Sequence, residues 1–397
     1  MNRWLYLLLV AVPVAVLAEA LHAAPLASFV LAALGLVPLA GLIGAATEAL
    51  AERLGHRIGG LLNATFGNAA EIIIGLTALA AGLPEVVRAS LAGSIIGNVL
   101  LVLGSSMLLG GWRYRRQQFD PRAAGQYAAM LALVVIGIAI PSLLATVGES
   151  TRPGAAVVRG SGLHQLSIGI AIILLLCYAA YIAYSVFGVR AYQEEVPSVP
   201  PSTASHDAGV HSDPAATTAP AVEATTKPEA STRGLLASLG AWWSSTLWLP
   251  MVVLAAATAL TAVVSEVLVS TIEPLTHQIG LNPLFVGLII LPIVGNAAEH
   301  FSAITSASHN RMEISMSITA GSSIQIALLA APILVLAGPI VGVPLDLNFS
   351  LLEVALFGLV AGLYALISLD GESTWLEGLL LCAFYLILAV GTFFTPV

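Results

Sequence analysis

Long apolar segments, separated by short polar stretches, occupy most of the chain. An α-helix needs about 20 mostly apolar residues to cross the hydrocarbon core of a bilayer. By this measure the pattern predicts eleven membrane spans, labelled M1 to M11 in chain order. They cover residues 3–20, 25–48, 59–82, 86–110, 126–147, 163–188, 243–270, 281–307, 313–338, 348–369 and 374–395.

One long polar segment interrupts this pattern between M6 and M7. Residues 189–242 are rich in Ala, Thr, Ser and Pro, a composition that predicts a disordered linker. The chain then divides into M1 (1–22), a first five-helix unit (23–188), the linker, and a second five-helix unit (243–397). M1 also resembles a secretory signal peptide, because Arg3 and an apolar run precede small residues, and its removal would leave ten spans.

Composition supports an integral, all-α polytopic membrane protein. Hydrophobic residues make up 58% of the 397 positions and charged residues only 9%, against about 25% in a typical soluble domain. A soluble enzyme and a disordered protein are therefore poor fits. The net charge of −8 provides no basic surface for nucleic acid. Cys177 and Cys382 lie in apolar runs without metal-ligand or redox spacing.

The basic residues predict the orientation of the spans. If the N-terminus is cytoplasmic, eleven of the fourteen Lys and Arg residues fall on the cytoplasmic side, and only Arg88, Arg152 and Arg159 fall on the other. By the positive-inside rule, the N-terminus and the linker are cytoplasmic and the C-terminus is outside. Since long targeting extensions are absent, a prokaryotic inner membrane is the expected location.

A five-residue string occurs twice in the chain. Gly-Asn-Ala-Ala-Glu at residues 67–71 in M3 recurs at residues 295–299 in M8, 228 positions later. At the same offset, Ala-Gly-Ser at 92–94 in M4 recurs at 320–322 in M9. Because each unit has an odd number of helices, the two copies face opposite ways across the membrane. Such inverted repeats are typical of secondary transporters, which bind substrate near the midplane and work by alternating access.

The repeated string places one acid deep in each of two apolar spans. Glu71 lies in M3 and Glu299 in M8, and neither span contains Lys or Arg. An acid within a span costs several kcal/mol and indicates a functional site. Without a basic partner in its own span, each carboxylate must be protonated or neutralised by a bound cation.

Amides and backbone oxygens surround these acids in the sequence. Asn68 and Asn296 precede each Glu by three residues, so amide and carboxylate share a helix face. Gly67 and Gly295 let the backbone leave helical geometry, which frees carbonyl oxygens as ligands. Near the second string, a proline at 292 cannot donate its backbone hydrogen bond, and this reinforces the break.

M4 and M9 offer further oxygens in Ser94, Ser322, Ser323 and Gln325. For Ser94 and Ser323, helix packing explains the hydroxyl equally well. The repeat offset of 228 places the counterpart of Gln325 at position 97, one residue before Asn98. This indicates a related role for Asn98 without establishing it. The resulting all-oxygen set suits a hard cation, and Ca²⁺ takes 6–8 oxygens in flexible geometry.

The charge of the site predicts a coupling mechanism. Two carboxylates are neutralised equally well by one divalent cation or by two protons. Competition between Ca²⁺ and H⁺ for this pair is then sufficient for exchange, with Ca²⁺ as transported substrate and no cofactor. His300 follows Glu299 but points about 100° away around the helix. Three roles stay open for His300: lining the ion path, carrying protons, or packing against neighbouring helices.

These motifs resemble those of the calcium/proton antiporters of the cation-exchanger family, within the calcium:cation antiporter superfamily. The matching stretches are residues 60–71, 265–270, 291–300 and 321–325. The resemblance implies a first helix outside two inverted five-helix repeats. It implies cation binding by Glu71 and Glu299, assisted by Asn68, Asn296, Ser323 and Gln325. It also makes Glu48 on M2 and Glu266 on M7 candidates for the access path.

Two departures from the family and several alternatives stay open. Gly97 stands where the family commonly has Ser, and the linker is only mildly acidic. A sodium/calcium exchanger, or an exchanger of another divalent cation such as Mn²⁺, would share the fold. A cation channel needs a continuous pore, and a membrane enzyme lacks support because the common catalytic strings are absent. The sequence does not decide whether the chain forms a homo-oligomer.

Overall fold

The structure is a computed structural model that describes residues 7–151, 161–183 and 247–394. The predicted linker at 189–242 lies outside the described residues, as do the ends of M1, M6, M7 and M11 that adjoin the gaps and termini. The predicted membrane class is confirmed, since the described residues are almost all in apolar helices.

The first half of the chain begins with M1, a helix at Ala11–Ala20. A long helical segment, Pro25–Phe66, contains M2 and the start of M3, and its backbone breaks at Gly55 with φ +82°. The remaining helices and one strand follow in order: Ala69–Ala80 in M3; Pro84–Gly97, the π-helical Asn98–Leu103 and Gly104–Tyr114 in M4; strand β1, Arg116–Gln118; Pro121–Thr151 in M5; Ser161–Ala183 in M6.

The second half contains M7 to M11. Its elements are as follows: Trp248–Ser270 in M7 and a following helix, Ile272–Ile279; Pro283–Phe285, the π-helical Val286–Ile290, Leu291–Gly295 and Ala297–Ser308 in M8; Met312–Gln325, the π-helical Ile326–Ala330 and Ala331–Val341 in M9; Leu351–Ile367 in M10; strand β2, Glu372–Thr374; Trp375–Phe393 in M11.

Among the described residues, seven helices are long and apolar enough to cross a membrane, or eight if the bent M8 counts as one span. M8 bends by 64° between Gly295 and Ala297. The helices in M1, M3 and M10 are apolar but shorter. The predicted count of eleven therefore stays a prediction.

Two local features were not predicted from the sequence. The polar stretch between M2 and M3 is helical except for the break at Gly55, because glycine tolerates the positive φ that ends a helix. The two short strands were not predicted. They pair antiparallel, with Arg116 opposite Thr374 and Gln118 opposite Glu372, and so join the M4–M5 and M10–M11 connections.

Helix packing brings the two halves together. M2 packs against M7, M4 against M8 and M11, M5 against M10, and M6 against M9, while M1 rests on M2 and M7. At one end of the helices, Ser270 donates a hydrogen bond to Glu19, and His164 bonds Asp346 at 2.8 Å. At the other end lies the β1–β2 pair. The site residues lie between these two ends.

The repeated stretches share their backbone geometry. Helix Ala69–Ala80 has the same length and register as Ala297–Ser308, and Pro84–Gly97 matches Met312–Gln325 in the same way. The connecting turn has positive φ at Gly82 in the first half and at Asn310 in the second, again 228 positions apart. The sequence repeat is therefore also a repeat of local structure.

Candidate cation site

The helices of both motifs are interrupted at the asparagine. Asn68 has φ −101° and ψ 19°, and Asn296 has φ −96° and ψ 10°, so both leave the α-helical region in the same way. Gly67 and Gly295 were expected to permit the distortion: Gly67 lies with Asn68 in the break between Phe66 and Ala69, whereas Gly295 still belongs to the helix Leu291–Gly295. Each break lets the amide project sideways from the helix, three residues before the glutamate.

The two asparagines make hydrogen bonds that cross between the halves. Asn68 of M3 donates from its Nδ2 to Oε1 of Gln325 in M9 at 2.6 Å. Asn296 of M8 donates from its Nδ2 to Oγ of Ser94 in M4 at 3.2 Å. All four side chains were predicted as site residues. Each motif is thus bonded to a helix of the opposite half: M3 to M9, and M8 to M4, the repeat counterpart of M9.

The two carboxylates lie at the junction of the motifs. Glu71 is 8% exposed, and a Cβ built on Gly295 would lie 3.4 Å from its Cγ, so M3 and M8 meet at this point. Glu299 is half-buried, and it is close enough to Glu71 for the two charges to interact. Among the described residues, neither oxygen of Glu71 has a hydrogen-bond partner, and Oε2 of Glu299 has none.

The two adjacent serines of M9 differ in orientation. The hydroxyl of Ser323 donates to the Thr319 carbonyl of its own helix at 2.9 Å and lies 3.5 Å from the Ile95 carbonyl of M4. Ser322 instead faces Glu299, and its buried hydroxyl lacks a partner within the described part of the chain. A hydroxyl that donates its hydrogen keeps its lone pairs, so Ser323 stays a predicted ligand and Ser322 joins it as a candidate. The sequence repeat could have indicated Ser322, because it is the counterpart of Ser94, which was predicted as a site residue.

Four further predicted residues are not brought into this hydrogen-bonded group. Asn98 is buried at the start of the π-helical segment of M4, and its Nδ2 has no partner among the described residues. His300 is half-buried. Glu48 of M2 and Glu266 of M7 are exposed. Their roles on the access path stay predictions.

A close approach of M4 to M8 supports the site. A Cβ on Gly93 would collide with the carbonyl oxygen of Leu288 and lie 2.7 Å from Cγ of Pro292. Leu288 belongs to the π-helical segment of M8, and its carbonyl is the one to which Pro292 cannot donate. This carbonyl therefore points at M4, and only glycine at 93 leaves room for it.

The unpartnered buried oxygens define the chemistry of the site. Six such atoms come from Asn68, Asn296, Ser322, Glu299 and both oxygens of Glu71. Leaving a buried polar atom unpaired costs about 1–3 kcal/mol, so a set of six indicates a ligand. All are oxygens, and two residues carry charge when ionised, which suits a hard divalent cation. No cluster of three or more His, Cys, Asp or Glu occurs in the described ranges.

Comparison with known proteins places the chain in a family. The family model described as "Sodium/calcium exchanger protein" matches residues 24–187 and 249–394. A protein of Aphanothece halophytica named Ca(2+)/H(+) antiporter is 39% identical over all of this chain and 98% of its own length. A Synechocystis protein of the same name is 42% identical over 93% of this chain and 91% of its own.

Solved structures agree with this match. The structure of native YfkE is 33% identical, covers 99% of this chain and 100% of its own, and has a TM-score of 0.76. The H+/Ca2+ exchanger CAX has a TM-score of 0.67 over 98% of this chain and 87% of its own, and at 15% identity it supports the fold alone. The resemblance found in the motifs is confirmed: the chain belongs to the sodium/calcium exchanger protein family and resembles its Ca²⁺/H⁺ antiporters.

Proposed function

We propose that this protein exchanges Ca²⁺ for H⁺ across a membrane by alternating access, with the two ions competing for Glu71 and Glu299. The observation that carries the proposal is the set of unpartnered carboxylate, amide and hydroxyl oxygens where M3 meets M8. One Ca²⁺ neutralises both carboxylates and accepts all these oxygens as ligands. Two protons neutralise the same pair, so either cargo leaves the site uncharged.

An electroneutral occupied site explains how ions cross the protein. A bare pair of carboxylates in an apolar bundle is costly, whereas the loaded site carries no net charge. Rearrangement is therefore cheaper with Ca²⁺ or with two protons bound than with neither. Obligatory exchange follows, because the empty site does not readily change the side it faces.

The inverted repeat provides two related conformations. The shared breaks at Asn68 and Asn296 and the shared register support a duplicated unit. The contacts at the ends of the helices support the alternation of spans. Glu19 and Ser270 both lie on the predicted outer side and are bonded to each other, and β1 and β2 both lie on the predicted cytoplasmic side and pair with each other. On this basis the protein has eleven spans, with M1 outside the two repeats.

The positive-inside count supports a cytoplasmic N-terminus. The bacterial and cyanobacterial relatives support a plasma-membrane location. The protein acts as a transporter and not as an enzyme, and it uses no cofactor beyond its cargo.

The decisive experiment uses purified protein in liposomes with an imposed pH gradient. We expect Ca²⁺ uptake that requires the gradient and is matched by proton movement in the opposite direction. A Ca²⁺ flux without a counter-gradient requirement would indicate a channel and contradict the proposal. So would the absence of pH-driven Ca²⁺ movement.

A second exchange mode deserves a direct test because the matching family model is described as a sodium/calcium exchanger. In the same liposomes, Mn²⁺ is offered in place of Ca²⁺ as the transported cation, and in a separate measurement a Na⁺ gradient takes the place of the proton gradient. We expect Ca²⁺ with H⁺ to give the highest rate. A higher rate with a Na⁺ gradient would favour sodium/calcium exchange on the same fold.

A further inference from the structure

We infer that Tyr385 of M11 is a positioning residue of the M4–M8 half of the cation site, an inference that rests on the proposed function. Its hydroxyl supplies the polar group that glycine at position 97 lacks. M11 makes no hydrogen bond to the six oxygens described above.

The repeat register identifies what is missing at position 97. Helix Pro84–Gly97 of M4 corresponds without a gap to Met312–Gln325 of M9, so Gly97 is the counterpart of Gln325. Gln325 holds Asn68 through a 2.6 Å hydrogen bond. Its counterpart has no side chain with which to serve Asn296. The two half-sites therefore differ by one polar side chain.

Packing does not require glycine at 97. A Cβ built there would lie 3.7 Å from Cε2 of Tyr385 and 3.9 Å from its hydroxyl, which are ordinary contacts. Gly104 is different, because a Cβ there would lie 2.9 Å from Cβ of Leu381. At Gly111 a Cβ would collide with the backbone nitrogen of Trp375. These two glycines hold M11 against M4, and this contact fixes Tyr385 beside Gly97.

The Tyr385 hydroxyl is buried without a partner. The residue is 3% exposed, and its oxygen has no hydrogen bond within the described ranges. Burying a hydroxyl without a partner costs about 1–3 kcal/mol. A phenylalanine would fill the same space without this cost, so the oxygen itself needs an explanation.

The position of Gly97 links this hydroxyl to the site. Ser94 and Gly97 are three residues apart on one helix and share a face. Ser94 accepts the hydrogen bond from Asn296. The Tyr385 hydroxyl thus lies one helical turn along from the Asn296–Ser94 bond, on the polar face of M4. It acts on the cation through that half-site and not as a direct ligand.

The test compares Ca²⁺ uptake by wild type, Tyr385→Phe and double variants in liposomes with an imposed pH gradient. On this proposal the Tyr385 hydroxyl gains one hydrogen bond in the Ca²⁺-bound half-site, so its loss is expected to raise the KM for Ca²⁺ about fivefold, the size of one ordinary hydrogen bond, with little change in maximal rate. Adding Gly97→Ser to Tyr385→Phe restores a hydroxyl at the same place and should return the KM to within about twofold of wild type. Adding Gly97→Ala restores only volume and should leave the KM raised.

The outcomes separate the two proposals. An unchanged KM in Tyr385→Phe, or equal rescue by Ser and Ala, would overturn the role of Tyr385. If Tyr385→Phe alone is poorly folded, the two double variants still differ by a single oxygen, and equal KM values in them would overturn it. Absence of uptake by wild type contradicts the proposed function instead.

Discussion

The side-chain amide of Asn68 in M3 donates a 2.6 Å hydrogen bond to Gln325 in M9, a residue of the other half of the chain. Asn296 of M8 also donates across the halves, to Ser94 in M4 at 3.2 Å, although Ser94 is not the repeat counterpart of Gln325. Each motif is therefore oriented by the opposite half. A conformational change that separates the halves must also disturb the ligands of the ion.

The Asn68–Gln325 bond predicts that substitutions at the two residues have non-additive effects on the KM for Ca²⁺. Asn68→Ala and Gln325→Ala should each raise the KM for Ca²⁺ about fivefold, because each removes one hydrogen bond of about 1 kcal/mol. The double variant should be little worse than the more severe single variant. Gln118→Ala, at an exposed position, is the control and should match wild type. Fully additive effects would show that the two residues act independently.

The carboxylates are expected to be indispensable. Glu71→Gln and Glu299→Gln keep the shape of the side chain but remove the charge, so each should abolish pH-driven Ca²⁺ uptake. Glu85→Gln is the matched control, since Glu85 is exposed and its pair with Arg88 is long at 3.9 Å. Uptake at the wild-type rate by either site variant would contradict the proposed competition.

The dependence of transport on pH follows from that competition. Protonated carboxylates do not bind Ca²⁺, so lowering the pH on the side of Ca²⁺ binding should raise the KM for Ca²⁺. If each Ca²⁺ displaces two protons, the increase approaches about 100-fold per pH unit in the acid range. Initial uptake rates at several pH values and Ca²⁺ concentrations measure it. A KM that stays constant with pH would mean that the ions use separate sites.

The adjacent serines of M9 allow a closely matched comparison. Ser322→Ala removes a free hydroxyl that faces Glu299 and should raise the KM for Ca²⁺ severalfold. Ser323→Ala removes a hydroxyl that bonds the Thr319 carbonyl of its own helix and reaches the Ile95 carbonyl of M4 only at 3.5 Å, so it should have the smaller effect. The same uptake measurement checks both variants. The reverse order would favour Ser323, the ligand predicted from the sequence, over Ser322.

Gly93 and Gly321 occupy equivalent places in the repeat but differ in surroundings. Gly93→Ala would push a methyl group into the Leu288 carbonyl, and overpacking of this kind typically costs about 1–3 kcal/mol. A Cβ on Gly321 meets no atom within 4 Å, so Gly321→Ala should be neutral. Tm in detergent measures the difference. Equal Tm values for the two variants would show that M4 and M8 leave room for a methyl group at position 93.

The sequence predicted the class of the protein and the centre of its site for clear physical reasons. Apolar length identified the spans, and charge in an apolar span identified Glu71 and Glu299. The break expected at the glycines includes Gly67 together with Asn68 in M3 but falls on Asn296 alone in M8, because the short polar side chain of asparagine also tolerates non-helical backbone.

Other features depend on contacts that no local pattern contains. Ser322 and Ser323 differ by about 100° around one helix, so their roles depend on how M9 is rotated against M8. Tyr385 and Gly97 are far apart in sequence, and only the packing of M11 on M4 brings them together. The β1–β2 pair is likewise too short to stand out among helices.

The π-helical segments separate what the two halves of the proposed repeat share from what they do not share. Those of M4 and M9 start at equivalent positions, Asn98 and Ile326. Because π-helical segments are rare, their shared place supports the proposed duplication. The segment at Val286–Ile290 has no counterpart, because the equivalent residues of M3 lie in an α-helix. The helix that leads into Glu299 is therefore wound differently from the one that leads into Glu71, so the two motifs enter the site on backbones of different shape.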